Sequence, residues 1–272
     1  MSGSGLSQPT GSVRFYNLHT YLGSSTISNG QATLSLGTLP AGRFQLTGQY
    51  QGDGDYELVN SSAIYFTVNR LTSAALLTVT PGSVTVGHPV TLKLVVTGSG
   101  PTPTGSVSFN YGASEPAVVA LSGGTAIAHI SPAKAGNQRI VAQYSGDSNY
   151  VSTSQTGAVT VAKVAGAVTL ISSANPGTKP SPIAFTVKVA ADSLDPTPTG
   201  TVKFFSLRTL IGTVAVSGGT ATLSISTLPV GESQISAQYS GDADYDRGFS
   251  NLLFERVKGA SPVSEVKSGA HD

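Results

Sequence analysis

Apolar and polar side chains alternate along short segments that recur through the chain. In residues 90–96 the even positions are all apolar, and Thr91 and Lys93 lie between them. Alternation with a period of two is typical of a strand that buries one face. No window shows a helical apolar period with caps, and turn-forming residues interrupt the chain every ~8–12 residues, so the sequence predicts an all-β protein. Four further sets follow in this region: Val107 and Phe109; Ala126, Ala128 and Ile130; Ile140, Ala142 and Tyr144; Val159 and Val161.

The sequence contains three copies of this pattern. Pro-Thr-Gly opens each copy, Tyr-(Gln/Ser)-Gly-Asp closes it, and both motifs shift by 94 positions and then by 95. A period of about 95 residues is that of a small autonomous domain rather than a solenoid repeat. About seven strands in ~95 residues predicts tandem immunoglobulin-like β-sandwiches. The opening motif occupies residues 9–11, 103–105 and 198–200, and the closing motif residues 50–53, 144–147 and 239–242.

The repeat predicts three domains of unequal completeness. Copy two spans residues 71–162, copy three spans 163–258, and residues 259–272 are predicted to be a polar tail. Copy one, residues 1–70, is predicted to be an incomplete domain without its first two strands, because only eight residues precede Pro9. A strand that buries four apolar side chains contributes about 6–12 kcal/mol, which is comparable with the stability of a whole domain. Copy one is therefore not expected to fold alone.

Two explanations for the missing strands are open at this point. The chain is a fragment, or begins at a misplaced Met, of a longer array; or a strand from another chain completes copy one by edge addition. The open edge that the missing strands leave in copy one is also expected to be a surface for self-association. The joints at residues 68–73 and 161–166 are short, and a stiff rod of roughly 100 Å is expected if each copy adds the length of its strands.

Composition excludes several classes of partner. Charged residues make up 11% of the chain, and the net charge of +1 is spread without a basic stripe, so no nucleic acid is expected as a partner. The chain has no Cys and no Trp, which excludes disulfides, thiolate metal sites and an antibody-type core. No run approaches the ~18 apolar residues of a membrane helix, so no membrane insertion is expected. The N-terminus carries no export signal pattern.

Four motifs in order resemble a known family. Pro-Thr-Gly-(Ser/Thr)-Val-x-Phe, a Gly-x-Ala hairpin exit, Leu-Pro-x-Gly and Tyr-(Ser/Gln)-Gly-Asp-x-(Asp/Asn)-Tyr are similar to those of the tandem bacterial Ig-like domains of secreted and cell-surface proteins. The resemblance covers residues 9 to about 257. It implies a sandwich fold, a secreted or cell-surface location and a mostly non-catalytic role, and it supplies no catalytic residue.

The closing loops are the first candidate ligand site. Each loop has a conserved spacing of acidic or amide residues, Asp-x-(Asp/Asn)-Tyr, which places two oxygens on one side of a turn as calcium loops do. Hard cations such as Ca²⁺ are coordinated by 6–8 oxygens, and the residues that follow do not match an EF-hand loop. Asp and Asn side chains also cap turns by hydrogen-bonding to the nearby backbone. The turn interpretation is favoured over calcium. The loops are Asp53-Gly54-Asp55-Tyr56-Glu57, Asp147-Ser148-Asn149-Tyr150 and Asp242-Ala243-Asp244-Tyr245-Asp246.

Paired tyrosines and scattered histidines complete the candidates. The tyrosines of each closing loop, such as Tyr144 and Tyr150, form either a sugar-stacking platform or part of the core, and the inward parity of Tyr144 favours the core.

No catalytic motif occurs, so the predicted site has no catalytic, cofactor-binding or metal-ligating residue. We expect the array to be a structural spacer. The alternative is an array of adhesion or carbohydrate-binding modules, including modules accessory to an enzyme on a longer chain. Its partners would be other Ig-like domains or a surface or matrix ligand. Surface positions are expected for His19, His88, His129 and His271.

Overall fold

Strands account for every regular element that the structure describes. The computed structural model describes residues 8–112 and 115–260, and within them no helix is long and apolar enough to cross a membrane. Most of the predicted polar tail lies outside these residues. Copy one contains a single sheet in the order β2-β1-β3-β4, with β5 also paired to β3. Its strands are β1 (Ser12–Asn17), β2 (Thr20–Thr26), β3 (Gly42–Tyr50), β4 (Val59–Asn60) and β5 (Ile64–Val68).

Copy two is a closed sandwich of two sheets. One sheet has the order β10-β9-β12-β13-β7 and the other the order β11-β8-β6, and the two inner faces share one core. The edge strand β7 runs parallel to β13, whereas the other pairs are antiparallel. The strands are β6 (Ala74–Thr80), β7 (Ser83–Thr85), β8 (Val90–Thr97), β9 (Ser106–Asn110), β10 (Ala117–Ala120), β11 (Thr125–Ile130), β12 (Gly136–Tyr144) and β13 (Thr153–Ala162).

Copy three repeats this closed arrangement. Its sheets have the orders β14-β16-β19 and β15-β22-β20-β17-β18, and β21 pairs with β20. A second core, separate from that of copy two, lies between them. The strands are β14 (Val168–Ser172), β15 (Gly177–Thr178), β16 (Ile183–Val189), β17 (Thr201–Ser206), β18 (Thr209–Ala215), β19 (Thr220–Ile225), β20 (Gly231–Tyr239), β21 (Gly248–Phe249) and β22 (Leu253–Lys258).

The period-two pattern places the predicted side chains in the core of copy two. All the apolar sets that alternation assigned to the inner faces are at most 6% exposed, from Val90 at 0% to Ala128 at 6%. The intervening Lys93 and Ile127 point outwards. The two central residues of each hairpin turn adopt the left-handed backbone: Gly123 and Gly124 have φ of 55° and 73°, and Asn29 and Gly30 have φ of 52° and 76°. The all-β class and the Ig-like architecture are confirmed.

Within the described residues, copy one has no counterpart of β6, β7 or β8, and one further segment also forms no strand. Residues 32–36 correspond to strands β11 and β19 of the closed copies, yet they form no strand. In the closed copies these strands pair with β8 and β16. Because copy one has no counterpart of β8 within the described residues, residues 32–36 have no ladder to join. The whole second sheet is therefore absent from the described part of copy one.

Candidate functional site

The first aspartate of the closing loop is surrounded by hydrogen-bond donors. In copy three, Oδ1 of Asp242 accepts from the backbone N–H groups of Asp244 and Tyr245, each at 2.8 Å. Oδ2 accepts from the backbone N–H and from the hydroxyl of Thr199, both at 2.7 Å. The carboxylate thus caps its own turn with one oxygen and fastens the opening Pro-Thr-Gly turn with the other. We call this arrangement the Thr-Asp clip.

The clip is present in all three copies. Asp53 accepts the same four bonds at 2.7–2.9 Å, with Thr10 as the threonine. Asp147 accepts them at 2.7–2.9 Å, with Thr104 as the threonine. Threonine and aspartate are 43 residues apart in every copy. Sequence reasoning missed the role of the threonine, although its fixed distance from the aspartate carries the signal.

The donors hold the clip aspartates in the charged form. Burial alone would raise the pKa of Asp242, but the hydrogen bonds from Thr199, Asp244 and Tyr245 outweigh it and lower the pKa to about 2. The pKa of Asp147 is lowered below the usual range by the equivalent donors against the same opposing burial. For Asp53 the backbone N–H of Thr10 is the largest cause of a lowered pKa. Hydrogen bonds donated to a carboxylate stabilise its charged form and lower its pKa, and this occurs at the clip aspartate of all three copies.

This geometry favours a turn cap over a calcium site. A carboxylate offers about four lone-pair positions, and each clip aspartate accepts at least four hydrogen bonds. Asp242 accepts a fifth, from the hydroxyl of Tyr239 at 3.0 Å. The described residues contain no group of three or more His, Cys, Asp or Glu that could hold a metal ion. A cation would therefore have to displace the N–H and O–H donors that define the loop.

The tyrosines of the closed copies are core residues rather than a binding platform. Tyr144, Tyr150, Tyr239 and Tyr245 are all 0% exposed. The hydroxyl of Tyr150 accepts from the N–H of Gly100 at 2.7 Å, and that of Tyr245 donates to the carbonyl of Pro196 at 2.7 Å. The second tyrosine therefore fastens the loop that precedes Pro-Thr-Gly. Burial is the main cause that raises the pKa of Tyr144 and Tyr245 to about 12.

One histidine departs from the predicted surface position. His88 is half-buried because it lies against copy three, where its Nδ1 is 3.8 Å from Oδ1 of Asp195. The same nitrogen is 3.1 Å from the hydroxyl of Thr85. His19 and His129 are exposed as predicted, and His271 lies outside the described residues. The sequence pattern could not place His88 because its partner belongs to the next domain.

The open sheet of copy one is a second candidate site. Its inner face lines an apolar groove of about 440 Å³. Val107, Phe109, Ile140 and Tyr144 of copy two are 0% exposed, whereas no apolar residue among the described residues 8–70 belongs to a buried core. Ile64, on the same face, is 67% exposed. Among the groove residues are Val13, Phe15, Ala32, Leu46, Tyr50 and Ile64.

Comparison with protein families identifies the chain. The model of the bacterial Ig-like domain family, group 3, matches residues 1–69, 77–162 and 168–253. The chain belongs to this family. The predicted resemblance is confirmed, and the match to residues 1–69 makes copy one a bacterial Ig-like domain by sequence although its sandwich is open. No curated protein matches the chain.

Several solved structures are similar to this chain over much of its length. An adhesin of Yersinia pseudotuberculosis, InvE, is 15% identical over 66% of this chain and 58% of its own, with a TM-score of 0.38. The Escherichia coli adhesin FdeC is 16% identical over 80% of this chain and 74% of its own, with a TM-score of 0.29. Fibronectin type III-like modules of Clostridium thermocellum CbhA are 16% identical over 72% of this chain and 100% of theirs, with a TM-score of 0.26. At these values none of them supports an argument about function.

Proposed function

We propose that this array of bacterial Ig-like domains is a non-catalytic spacer segment of a secreted or cell-surface protein. The observation that carries the proposal is the way the joints between domains are built. Each joint is short: β5 ends at Val68 and β6 begins at Ala74, and β13 ends at Ala162 and β14 begins at Val168. Both joints are also held by hydrogen bonds to the domain that follows.

The joint residues are fixed against the closing loop of the next domain. The N–H of Val164 donates to the carbonyl of Asp244 at 2.8 Å, and the N–H of Asp246 donates back to the carbonyl of Val164 at 3.0 Å. Leu71 makes the equivalent pair of bonds with Asn149 and Val151, at 2.7 and 3.0 Å. Only residues 69–70 in the first joint and residue 163 in the second lie between the last strand of one domain and these bonds of the next. Each connection therefore has little freedom, which is what a spacer needs to keep its length.

Copies two and three also touch directly. A Cβ on Gly87 of copy two would lie only 2.1 Å from the carbonyl oxygen of Leu194 of copy three, so the two backbones are in close contact. His88 faces Asp195 beside this contact, and the Asp195 side chain is 5% exposed. The contact restricts bending at this joint.

The candidate sites agree with a role that needs no chemistry. The clip aspartates are used in turns, and the tyrosines of the closed copies are used in the core. Family membership favours the same interpretation, because Ig-like domains of this kind are typically not enzymes, and it favours a surface or secreted location. Function is nevertheless carried by sites rather than by folds, so the proposal needs a test that depends on shape.

Small-angle scattering of the full chain provides that test. A compact globule of this length would have a radius of gyration of about 19 Å. A rod of roughly 100 Å, estimated from strands of ~8–10 residues at ~3.4 Å each, would have one near 30 Å. A value near 19 Å would overturn the proposal. Clear binding of the chain to a glycan array would favour the alternative of adhesion.

A pair of glycine variants tests the stiffness of the joint. Gly87→Ala places a methyl group against the backbone of Leu194 and should separate copies two and three, which broadens the distribution of distances in scattering. Gly123→Ala is the matched control, because Gly123 also has positive φ, at 55°, but an added Cβ would meet no atom within 4 Å. Equal scattering profiles for the two variants would show that this contact does not hold the joint.

A further inference from the structure

The contact between copies two and three pairs a histidine with a carboxylate. His88 lies between β7 and β8 of copy two, and its Nδ1 is 3.8 Å from Oδ1 of Asp195 in copy three. The side chain of Asp195 is 5% exposed and that of His88 is 33% exposed. Beside the pair, the backbones of Gly87 and Leu194 are in close contact. A charge on the imidazole would therefore act directly on the surface where the two domains meet.

Hydrogen bonds orient both partners towards each other. Oδ2 of Asp195 accepts from the backbone N–H of Asp192 at 2.9 Å, which leaves Oδ1 facing copy two. Nδ1 of His88 is 3.3 Å from the carbonyl oxygen of Val86 and 3.1 Å from the hydroxyl of Thr85. Because the carbonyl and the carboxylate can only accept, the hydrogen of the neutral ring belongs on Nδ1. Protonation then adds a hydrogen at Nε2, and the ring becomes a cation without turning.

The internal repeat shows that this pair is added to a joint of shared design. Asp195 stands immediately before Pro-Thr-Pro-Thr-Gly in copy three, whereas Gly100 stands before the same string in copy two. Residues 98–100 are Gly-Ser-Gly and contain no titratable side chain. The backbone bonds of the two joints are equivalent, with Leu71 in the first and Val164 in the second. The first joint therefore serves as an internal control for the charge pair.

The other charged groups around the pair are mostly acidic. Copy two contributes the 131–135 turn, where the carbonyl of Pro132 accepts from the N–H of Gly87 at 2.9 Å. Copy three contributes the 191–196 loop and the closing loop, which the hydroxyl of Tyr245 joins at 2.7 Å. Burial, and then the charges of four aspartates, raise the pKa of Tyr245 to about 12. A cation at His88 would therefore face a negatively charged end of copy three. The titratable groups on these elements and on the joint are Asp192, Asp195, Asp242, Asp244, Asp246, Lys134, Lys163, Arg247 and Tyr245.

We propose that His88 and Asp195 form an acid-strengthened lock, which stiffens the joint between copies two and three as the pH falls from about 8 to 5. The inference rests on the proposed spacer function, because it concerns how firmly one joint of that spacer is held. Histidine side chains gain their positive charge in this range of pH, whereas carboxylates are already negative. The attraction is therefore present at the acidic end of the range and is lost as the pH rises and the imidazole gives up its proton.

The partial exposure of the pair limits the size of the effect. Exposed ion pairs change an equilibrium by up to about fivefold. The low exposure of the Asp195 side chain favours the upper end of that range. Salt should weaken the lock, because mobile ions screen the more exposed imidazole. We therefore expect a change of about two- to fivefold in the ratio of closed to open joints.

Two dyes, one on copy two and one on copy three, test the proposal in the full chain. The chain has no Cys, so Lys93→Cys on β8 and Lys203→Cys on β17 create two labelling sites at exposed positions. Single-molecule energy transfer should show the ratio of closed to open joints rise about two- to fivefold between pH 8 and pH 5.5. The rise should be smaller in 1 M salt. No rise would overturn the lock.

Matched variants assign the response to this pair. His88→Gln and Asp195→Asn should each abolish it, and Asn keeps an oxygen that can accept from the N–H of Asp192. His129→Gln is the control and should leave the response unchanged. His129 is also in copy two and its Nδ1 is also 3.1 Å from a threonine hydroxyl, that of Thr91, but no described carboxylate pairs with it. A full response in His88→Gln would overturn the assignment.

Two further measurements separate failure of the lock from failure of the spacer. Dyes on copies one and two should report a change of less than about 1.5-fold, because Gly100 replaces Asp195 at the first joint. An equal change at both joints would overturn the assignment to His88 and Asp195. A radius of gyration of about 19 Å at both pH values would overturn the spacer function itself. An extended chain without a pH response would overturn the lock alone.

Discussion

Copies one and two place equivalent apolar side chains on the inner face of one sheet, but only in copy two does a second sheet cover that face. Val13, Phe15, Leu46 and Tyr50 occupy the positions of Val107, Phe109, Ile140 and Tyr144. In copy two these side chains are 0% exposed, and in copy one they are only half-buried. The sheet that carries them forms in both copies. The difference is therefore in what covers the sheet and not in the sheet itself.

The comparison shows which features of a sandwich are local. The hairpin before residue 32, the parity of residues 32–36 and the Thr-Asp clip all form in copy one without a second sheet. The strand ladder of residues 32–36 and the buried core do not. Local turn chemistry and side-chain alternation thus position a segment, whereas a ladder and a dry core need the neighbouring strand.

Amide hydrogen exchange should show the largest difference between the copies. Opening free energies run from near zero in unprotected segments to the global free energy of unfolding in core strands. The amides of Ala126, Ala128 and Ile130 should exchange at least a thousandfold more slowly than unprotected amides. The amides of Ala32, Leu34 and Leu36 should exchange within about tenfold of the unprotected rate. Slow exchange at those three residues in a monomeric chain would mean that copy one closes by itself.

Truncation of one phenylalanine in each copy should show the next largest difference. Phe109→Ala removes a fully buried ring and should lower the free energy of unfolding of copy two by about 3–5 kcal/mol. Phe15→Ala removes the equivalent half-buried ring and should cost less than about 2 kcal/mol, because much of its surface is already in water. Urea unfolding followed by resonances of each copy measures both values. Equal losses would indicate that Phe15 is as well covered in solution as Phe109.

The sequence was sufficient for the fold of the closed copies because their periodicity is local. Alternation identified the inner faces of β8, β11 and β12. Residues 32–36 show where this reasoning ends: their alternation is as regular as that of β11, yet they form no strand. Pairing depends on a neighbour that is distant in sequence, and no local pattern records whether that neighbour is present.

The candidate site was predictable in part for a similar reason. The turn role of Asp147 follows from Asp-x-Asn-Tyr, since Asp caps its own turn. The bonds to Thr104 cross 43 residues and could be inferred only from the repeated Thr-to-Asp spacing. His88 had no such signal, because its position depends on the packing of two domains.

Removing the second oxygen acceptor of a clip should have an intermediate effect. Asp242→Asn keeps one oxygen but presents an NH₂ group to the donors on the other side, so at least two of the five hydrogen bonds to the former carboxylate are lost. Leaving donors unpaired costs about 1–3 kcal/mol, and partial exposure of the loop favours the lower end. Asp244→Asn is the matched control and should change the free energy of unfolding by less than about 0.5 kcal/mol, since its side chain is not part of the clip. Equal effects of the two variants would contradict the clip.

The clip also predicts how the closed copies respond to acid. The pKa of Asp242 is about 2 in the folded protein and about 3.9 in an unfolded chain. Because the folded value is lower, the stabilisation is present above pH 4 and is lost as the pH falls from about 4 to 2. The urea midpoint of copy three should fall across this window, and it should fall less steeply in Asp242→Asn. An unchanged slope in that variant would assign the acid sensitivity to other groups.

Calcium should have the smallest effect on either kind of copy. In all three loops the clip aspartate already accepts at least four hydrogen bonds, and a bound cation would need 6–8 oxygens that the described loops do not assemble around it. Millimolar Ca²⁺ should therefore shift the melting temperature of the full chain by less than about 1 °C relative to a chelator, because ligand stabilisation scales with the ratio of ligand concentration to Kd. Mg²⁺ at equal ionic strength controls for screening of surface charge.

Copy one provides the sharper comparison, since Asp53, Asp55 and Glu57 give its loop more carboxylates than copy two has. A calcium-specific change confined to resonances of that loop would mean that the open copy, unlike the closed one, exchanges its turn cap for a metal.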